Sequence, residues 1–233
     1  MNSKTIFVTH QRSYWFGLCC RFDLLIGMHK PCLCAMETPV IITPVDIPEE
    51  WGSDQGKVCF SIQNILSPEE CQWIMDKTDA YFASENKDDD YFLSVITEDE
   101  ELNAFLYHRM TPHLPPNFNN KTPVGLYKDL RFLRYNPEKR SNLAPHFDGM
   151  AIREDKARSY VTLHFYLNTV EEGGCTRFFD SALGIQGKKS KKFVDYQPVQ
   201  GSVLVFQQDM YHAGTEVTKG SDKYTLRASL LYD

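Results

Sequence analysis

Tyr160-Val161-Thr162-Leu163-His164-Phe165-Tyr166-Leu167 runs on through Asn168-Thr169-Val170-Glu171-Glu172-Gly173-Gly174-Cys175 to Thr176-Arg177-Phe178-Phe179. The first run is rich in β-branched and aromatic residues, which suit a pleated, half-buried surface. The glycine pair is a turn signal, and the spacer holds no crossover helix, so the two runs read as strands of an antiparallel sheet. The same pattern continues on both sides. Leu126–Tyr135, Phe193–Pro198, Ser202–Phe206 and Tyr224–Tyr232 are further strand candidates. Asn136-Pro137, the Gly184 to Gly187 stretch, Gln200-Gly201 and Lys219-Gly220-Ser221-Asp222 punctuate them. Many short strands at regular spacing predict an antiparallel sandwich or barrel, with a β core over residues 124–233.

Upstream the period changes. Val58, Phe60 and Ile62 alternate with Cys59 and Ser61, a strand with one buried face. Ser67-Pro68-Glu69-Glu70 combines a cap, a first-turn proline and a glutamate three residues after the serine, and so starts a helix. Cys71, Ile74, Met75, Thr78, Tyr81 and Phe82 form its stripe. Thr97 and Glu100 repeat the capping pattern and predict a helix over Thr97–Met110, which the Pro112 to Pro116 stretch ends. Residues 67–116 therefore read as helical support for the β core.

Residues 1–36 differ from the rest. They are rich in cysteine (Cys19, Cys20, Cys32, Cys34) and aromatics, with charges interrupting each apolar stretch. They read as a poorly ordered extension ahead of a domain over 37–233, or as a segment that precedes a natural start at Met36. The uncharged stretch Ser13–Cys20 has no small-residue cleavage site behind it, so no secretory signal is expected. The spacing Cys32-Leu33-Cys34 is not that of a zinc site. Cys59, Cys71 and Cys175 lie in apolar surroundings and read as buried free thiols. Free thiols and the missing signal favour the cytoplasm or nucleus.

The chain is 42% hydrophobic and 24% charged over 233 residues, which is globular composition with enough mass to bury a core without disulfides. A net charge of −6 argues against a nucleic-acid partner. No run of about 18 apolar residues predicts a membrane span. The basic run Lys188-Lys189-Ser190-Lys191-Lys192 reads as a solvated loop, and Asn120-Lys121-Thr122 as an unused glycosylation sequon.

Pro145-His146-Phe147-Asp148-Gly149 carries the chemistry. On extended chain His146 and Asp148 point to the same face. His212, in Asp209-Met210-Tyr211-His212-Ala213-Gly214, follows the apolar strand Ser202–Phe206. Two neutral imidazoles and a carboxylate on one face of an octahedral ion are the facial triad of non-haem Fe(II) oxygenases. 2-Oxoglutarate chelates iron by its keto-acid end, and its far carboxylate then needs a buried cation. Lys223 and Arg227, on the last strand candidate with Thr225 and Ser229 on the same face, are both open to that role. His10, His29, His108 and His113 read as non-ligands, and Asp209 as a turn cap.

From about Leu130 onward the chain resembles the prolyl 4-hydroxylase alpha-subunit-like family of 2-oxoglutarate- and Fe(II)-dependent dioxygenases. The resemblance rests on Leu130–Tyr135, Pro145–Gly149, Thr162–Asn168, Glu172–Phe178, Pro198 with Gly201 to Phe206, and His212 through Tyr232. It implies a mainly β fold with supporting helices, a double-stranded β-helix (jelly roll, cupin-like). It implies His146, Asp148 and His212 as catalytic iron ligands, with O2 and 2-oxoglutarate as co-substrates and ascorbate as a supporting reductant. Lys223 sits where the family places the basic residue for the distal carboxylate, with Arg227 as the alternative. Tyr135 and Tyr166 match pocket tyrosines, although core packing alone would also explain them. The implied reaction is hydroxylation of a C–H bond of a prolyl or other amino-acid side chain, with release of succinate and CO2. An inactive β-helix binding module and a small-metabolite hydroxylase of the same fold are the alternatives. A peptide, protein or small molecule is the expected substrate, read by the loops Asn86–Ile96, Asn136–Ala144, Gly149–Arg158 and Ala182–Lys192; the sequence leaves the oligomeric state open. Two positions depart from the family. No glycine follows soon after Asn136-Pro137, and position 164, usually apolar, is histidine. His164 alternates in phase with Thr162 and Tyr166, so it faces inward wherever Tyr166 does; it reads either as a hydrogen-bonded core residue or as a contact to co-substrate or substrate.

Overall fold

The computed structural model describes residues 38–84, 92–183 and 192–233. The 1–36 extension with its cysteines, the residues 86–91 and 184–191 of the two recognition loops, and most of the basic run lie outside the described residues.

In chain order the elements are β1 (Ile41–Pro44), β2 (Cys59–Gln63), α1 (Pro68–Ser84), β3 (Phe92–Glu98), α2 (Glu100–Met110), β4 (Pro123–Leu126), β5 (Asp129–Tyr135), β6 (Leu143–His146) and β7 (Arg158–Tyr166). They continue as β8 (Glu172–Gly173), β9 (Thr176–Phe178), β10 (Val194–Tyr196), β11 (Ser202–Gln207), β12 (His212–Gly214), β13 (Val217–Lys219) and β14 (Lys223–Tyr232). Two antiparallel sheets form a jelly roll, and β8 and β13 pair as a separate short ribbon. The larger runs β1-β2-β11-β7-β14-β5-β3, with β4 also on β14; the smaller runs β10-β9-β12-β6.

Strand alternation divides the large sheet into a helix face and an inner face. Val161, Leu163 and Phe165 of β7 and Leu226, Ala228 and Leu230 of β14 pack with Cys71, Ile74 and Phe82 of α1 and Leu102, Leu106 and Met110 of α2. Each such buried Leu or Phe contributes roughly 1.5–3 kcal/mol. The helices thus cover one side of the sheet, as expected. The other face, with Thr162, His164 and Tyr166 of β7 and Lys223, Thr225 and Arg227 of β14, looks into the roll.

The first capping box forms as read: Glu70 N donates to Ser67 Oγ (3.1 Å) and Ser67 N to Glu70 Oε2 (2.8 Å). The second is corrected. Thr97 belongs to β3, paired with Leu130, and Asp99 caps α2 by accepting from Leu102 N at 3.0 Å. Asp99 also takes Lys77 Nζ (2.8 Å) and Tyr81 Oη (2.7 Å), which tie α1 to the start of α2. The segment Asn86–Ile96, read as a loop, contributes residues 92–96 to β3. Strands β1, β4 and β6 were also not expected, nor were the two- and three-residue strands β8, β12 and β13, which are too short to show alternation. The longer four, β1, β3, β4 and β6, escape detection for a common reason: β1, β3 and β6 are sheet edges, β4 lies off the main path, and three of the four contain proline. Cys59 and Cys71 are buried free thiols, whereas Cys175 is only half-buried.

Candidate active site

His146 ends β6 and His212 begins β12, and the small sheet pairs them directly across the ladder. Their ring centroids lie 4.4 Å apart. Asp148 follows two residues after His146, where its N–H donates to Gln208 O at 3.0 Å and docks it on the end of β11. One ligating atom from each of His146, Asp148 and His212 can be chosen so that all three lie within 4.8 Å of one another. They form the only such group of metal-binding side chains among the described residues.

Each imidazole has its tautomer fixed by the backbone. His146 Nδ1 is 2.8 Å from Ala144 O and His212 Nδ1 is 3.0 Å from Met210 O. A carbonyl only accepts, so Nδ1 carries the proton and the Nε2 lone pair is left for a metal. Both Nε2 atoms face Asp148, at 3.6 Å from Oδ1 for His146 and 3.9 Å from Oδ2 for His212. Burial lowers the His212 pKa to about 4, beyond what the nearby Asp148 charge restores, so this imidazole is neutral at physiological pH. Phe206 and Phe178 pack against its ring at 4.7 and 6.1 Å.

Asp148 is held from two sides. Thr162 Oγ1 donates to Oδ2 at 2.6 Å, and Arg227 Nε forms an ion pair with Oδ1 at 2.9 Å. Burial opposes the carboxylate charge, but His146, the Arg227 guanidinium, His212 and Thr162 outweigh it and hold the pKa far below the usual range. Asp148 is therefore an anion throughout the physiological range.

Deeper along the same face lies Lys223, fully buried, with Nζ unpartnered. Its Nζ sits 4.5 Å from the centre of the Tyr135 ring and 5.6 Å from that of Tyr166. Burial pushes its pKa down to about 7. Asn168 anchors this end of β14: its Nδ2 donates to Asp222 O (2.7 Å) and its Oδ1 accepts from Tyr224 N (2.8 Å). Two glycines make room. A Cβ on Gly174, at φ +66°, would meet Lys223 Cδ at 3.2 Å, and one on Gly214 would meet Tyr135 Oη at 2.8 Å. Tyr166 Oη shares a 2.6 Å hydrogen bond with Thr176 Oγ1. Thr225 Oγ1 and His164 Nε2 are also buried without a hydrogen-bond partner.

The three residues expected at a metal thus converge, and Lys223, Tyr135 and Tyr166 cluster together, buried on the inner face of the large sheet. Arg227 does not share the Lys223 position; it lies against Asp148. Thr162 and the carbonyls behind the two histidines had no assigned role in the sequence reading. Thr162 was in phase with His164 and Tyr166, which was the available signal, whereas the carbonyl contacts leave none.

At the mouth, a hollow of about 350 Å³ is lined by Phe118, Phe147, Asp148, Met150, Tyr160 and Asp209 among others. A second, of about 400 Å³, lies across Phe147 against Lys57, Ser181 and Ala182 and shares Asp209. Phe147 and Met150 are about half exposed, and Phe147 packs 4.9 Å from Tyr211. No helix among the described residues is long and apolar enough to cross a membrane.

Residues 130–228 match the sequence model of the 2OG-Fe(II) oxygenase superfamily. No curated protein sequence matches the chain. Among solved structures, the chain is similar to the non-heme alpha-ketoglutarate-dependent carbocyclase SnoK of nogalamycin biosynthesis (TM-score 0.57, 14% identity, covering 78% of this chain and 83% of that one). It is similar to a Trichoplax adhaerens prolyl hydroxylase in complex with a hypoxia inducible factor peptide (TM-score 0.54, 14% identity, 78% and 86%). A Pseudomonas putida prolyl-4-hydroxylase gives a TM-score of 0.50 at 16% identity, over 78% and 96% of the two chains. At these identities the likeness is one of fold.

Proposed function

We propose that the chain is a 2OG-Fe(II) oxygenase, a reading supported by the match of residues 130–228 to that superfamily's model, and that it is an Fe(II)- and 2-oxoglutarate-dependent hydroxylase acting on a prolyl or other amino-acid side chain of a peptide. The observation that carries the reading is the pairing of one metal-type triad with one unpartnered buried lysine on the same inner face. A buried ammonium without a partner is costly, and a ligand carboxylate would remove that cost. The donor set of two imidazole Nε2 atoms and one carboxylate suits Fe(II).

In this reading His146, Asp148 and His212 hold the iron, and Lys223 receives the distal carboxylate of 2-oxoglutarate between the Tyr135 and Tyr166 rings. When bound, iron, 2-oxoglutarate and O2 supply the oxidation of substrate C–H to C–OH, with release of succinate and CO2. The protein's part is orientation and exclusion of water. Thr162 and Arg227 keep Asp148 ionised and fix which way its oxygens point. Ala144 O and Met210 O keep both Nε2 lone pairs directed inward. The apolar faces of Phe178 and Phe206 keep that side of the triad dry.

The mouth supports the substrate class. Two open hollows meet over Phe147, which suits an extended chain lying across the entrance rather than a metabolite enclosed by it. The test is aerobic turnover of 2-oxoglutarate to succinate with Fe(II) and ascorbate, against proline-containing peptides and, in parallel, free amino acids. Iron-dependent succinate formation stimulated by a peptide and abolished in His146→Ala is the expected result. Stimulation only by free amino acids would remove the peptide assignment, and no succinate with any substrate would remove the enzyme assignment.

A further inference from the structure

Besides Lys223 and Thr225, the inner face carries a buried histidine with an unsatisfied ring nitrogen. His164 is 8% exposed, and its Nε2 has no hydrogen-bond partner. Leaving such a group buried and unpaired costs about 1–3 kcal/mol. A leucine would fill the position without that cost.

The place of His164 in the sheet shows what it is aimed at. Along β7 the inner face reads Thr162, His164, Tyr166. Thr162 donates to Asp148, and Tyr166 lies under Lys223 Nζ. Across the ladder, His164 pairs with Arg227, the residue on Asp148 Oδ1, while Tyr166 pairs with Thr225. The imidazole is therefore one step from the residues that hold the triad's carboxylate and one step from the Lys223–Tyr166 cluster. Its ring lies 5.1 Å from that of Tyr166. Burial and the adjacent Lys223 charge lower its pKa well below the ordinary value, so the ring is neutral and can donate through one nitrogen only.

We propose that His164 is a co-substrate-binding residue, whose Nε2–H donates to the keto-acid end of 2-oxoglutarate while Lys223 holds the other end. The assignment rests on the proposed function above. The distal carboxylate belongs to Lys223, so the group left within reach of His164 is the end that faces the metal. The co-substrate would then be read at both ends by protein donors in addition to the iron.

The experiment separates the two ends by ligand. Binding of 2-oxoglutarate and of 2-oxovalerate, which keeps the keto acid but lacks the distal carboxylate, is measured by calorimetry on the Zn(II)-loaded full chain. His164→Leu weakens both ligands by a similar factor of about 10 or more, the loss expected of one hydrogen bond to a charged group. His164→Gln, which keeps a donor, recovers most of that loss. Lys223→Met weakens 2-oxoglutarate alone. If His164→Leu fails to fold, the wild-type imidazole is followed by ¹⁵N NMR, and its Nε2 resonance shifts when 2-oxovalerate is added. Unchanged affinities in His164→Leu, a loss confined to 2-oxoglutarate, or an unmoved Nε2 resonance overturns the assignment. Wild-type protein that binds neither oxo acid overturns the dioxygenase reading itself, a result distinguishable from the others.

Discussion

Replacing Lys223 by methionine tests the site through stability before any turnover is measured. The lysine pKa falls from 10.5 to about 7 because the ammonium is buried. At about 1.36 kcal/mol per pH unit, holding the charge in the folded state costs on the order of 5 kcal/mol. The contacts of this one ammonium with the Tyr135 and Tyr166 rings, at 4.5 and 5.6 Å, recover part of this, about 1–2 kcal/mol. The sign follows from proton counting. Between pH 7 and about 10.4 the unfolded chain holds the lysine proton more firmly than the folded one, so this group's contribution makes stability rise with pH across that window. Above it both states are neutral and the penalty is gone; below pH 7 it is fully present.

Methionine has similar bulk and no charge. Metal-free Lys223→Met is therefore expected to be more stable than wild type at pH 7 by about 3 kcal/mol, or roughly 6–12 °C in Tm. The gap should shrink toward zero as pH approaches 10.5. Adding 2-oxoglutarate to the Zn(II)-loaded wild type at pH 7 gives the ammonium its counter-charge and raises Tm by mass action. The same addition should move the variant much less. The assay is thermal unfolding by circular dichroism, as a pH series without metal and a ligand series with it. A variant less stable than wild type at every pH, or one stabilised by 2-oxoglutarate as strongly as wild type, would refute the reasoning.

Three further outcomes are expected. Thr162→Val deletes the 2.6 Å donor to Asp148 Oδ2, and Mn(II) affinity measured by calorimetry should fall about 10-fold or more, as for other residues that orient metal ligands; an unchanged affinity would remove Thr162 from the site. Gly214→Ala drives a methyl group to 2.8 Å from Tyr135 Oη, so 2-oxoglutarate binding should weaken, and adding Tyr135→Phe should restore part of it by clearing that atom. Arg109→Ala removes the cation paired across the two helices with Glu70, which is 2% exposed and keeps the Ser67 N–H as a donor; chemical denaturation should show a loss of about 3 kcal/mol, and a change under 1 kcal/mol would mean that water reaches Glu70.

How far the site could be read in advance depended on which contacts are local. His146 and Asp148 lie two residues apart on one chain, so strand alternation alone puts them on one face. His212 was legible because an unmistakable buried strand, Ser202–Gln207, delivers it to the same end of the roll. The choice between Lys223 and Arg227 was not legible, since the alternation that turns one inward turns both. Cross-strand register separates them: Arg227 stands opposite His164, beside the Thr162 that holds Asp148, whereas Lys223 stands opposite Tyr135. Register between β7 and β14 is set by packing across more than 50 residues of intervening chain, and no local pattern encodes it. The edge strands failed for the complementary reason. β3 leaves Ile96 55% exposed and β6 ends in Pro145-His146, so the signals that mark a central strand are weak where one side of the ladder is open. Yet β6 is the strand that bears the first ligand. The strand ends at His146, so Asp148, held by its N–H on Gln208 O beyond the ladder, presents its carboxylate to Thr162 and Arg227 on the large sheet. The weakness that hid β6 in the sequence is also what allows the two sheets to share one metal-type site.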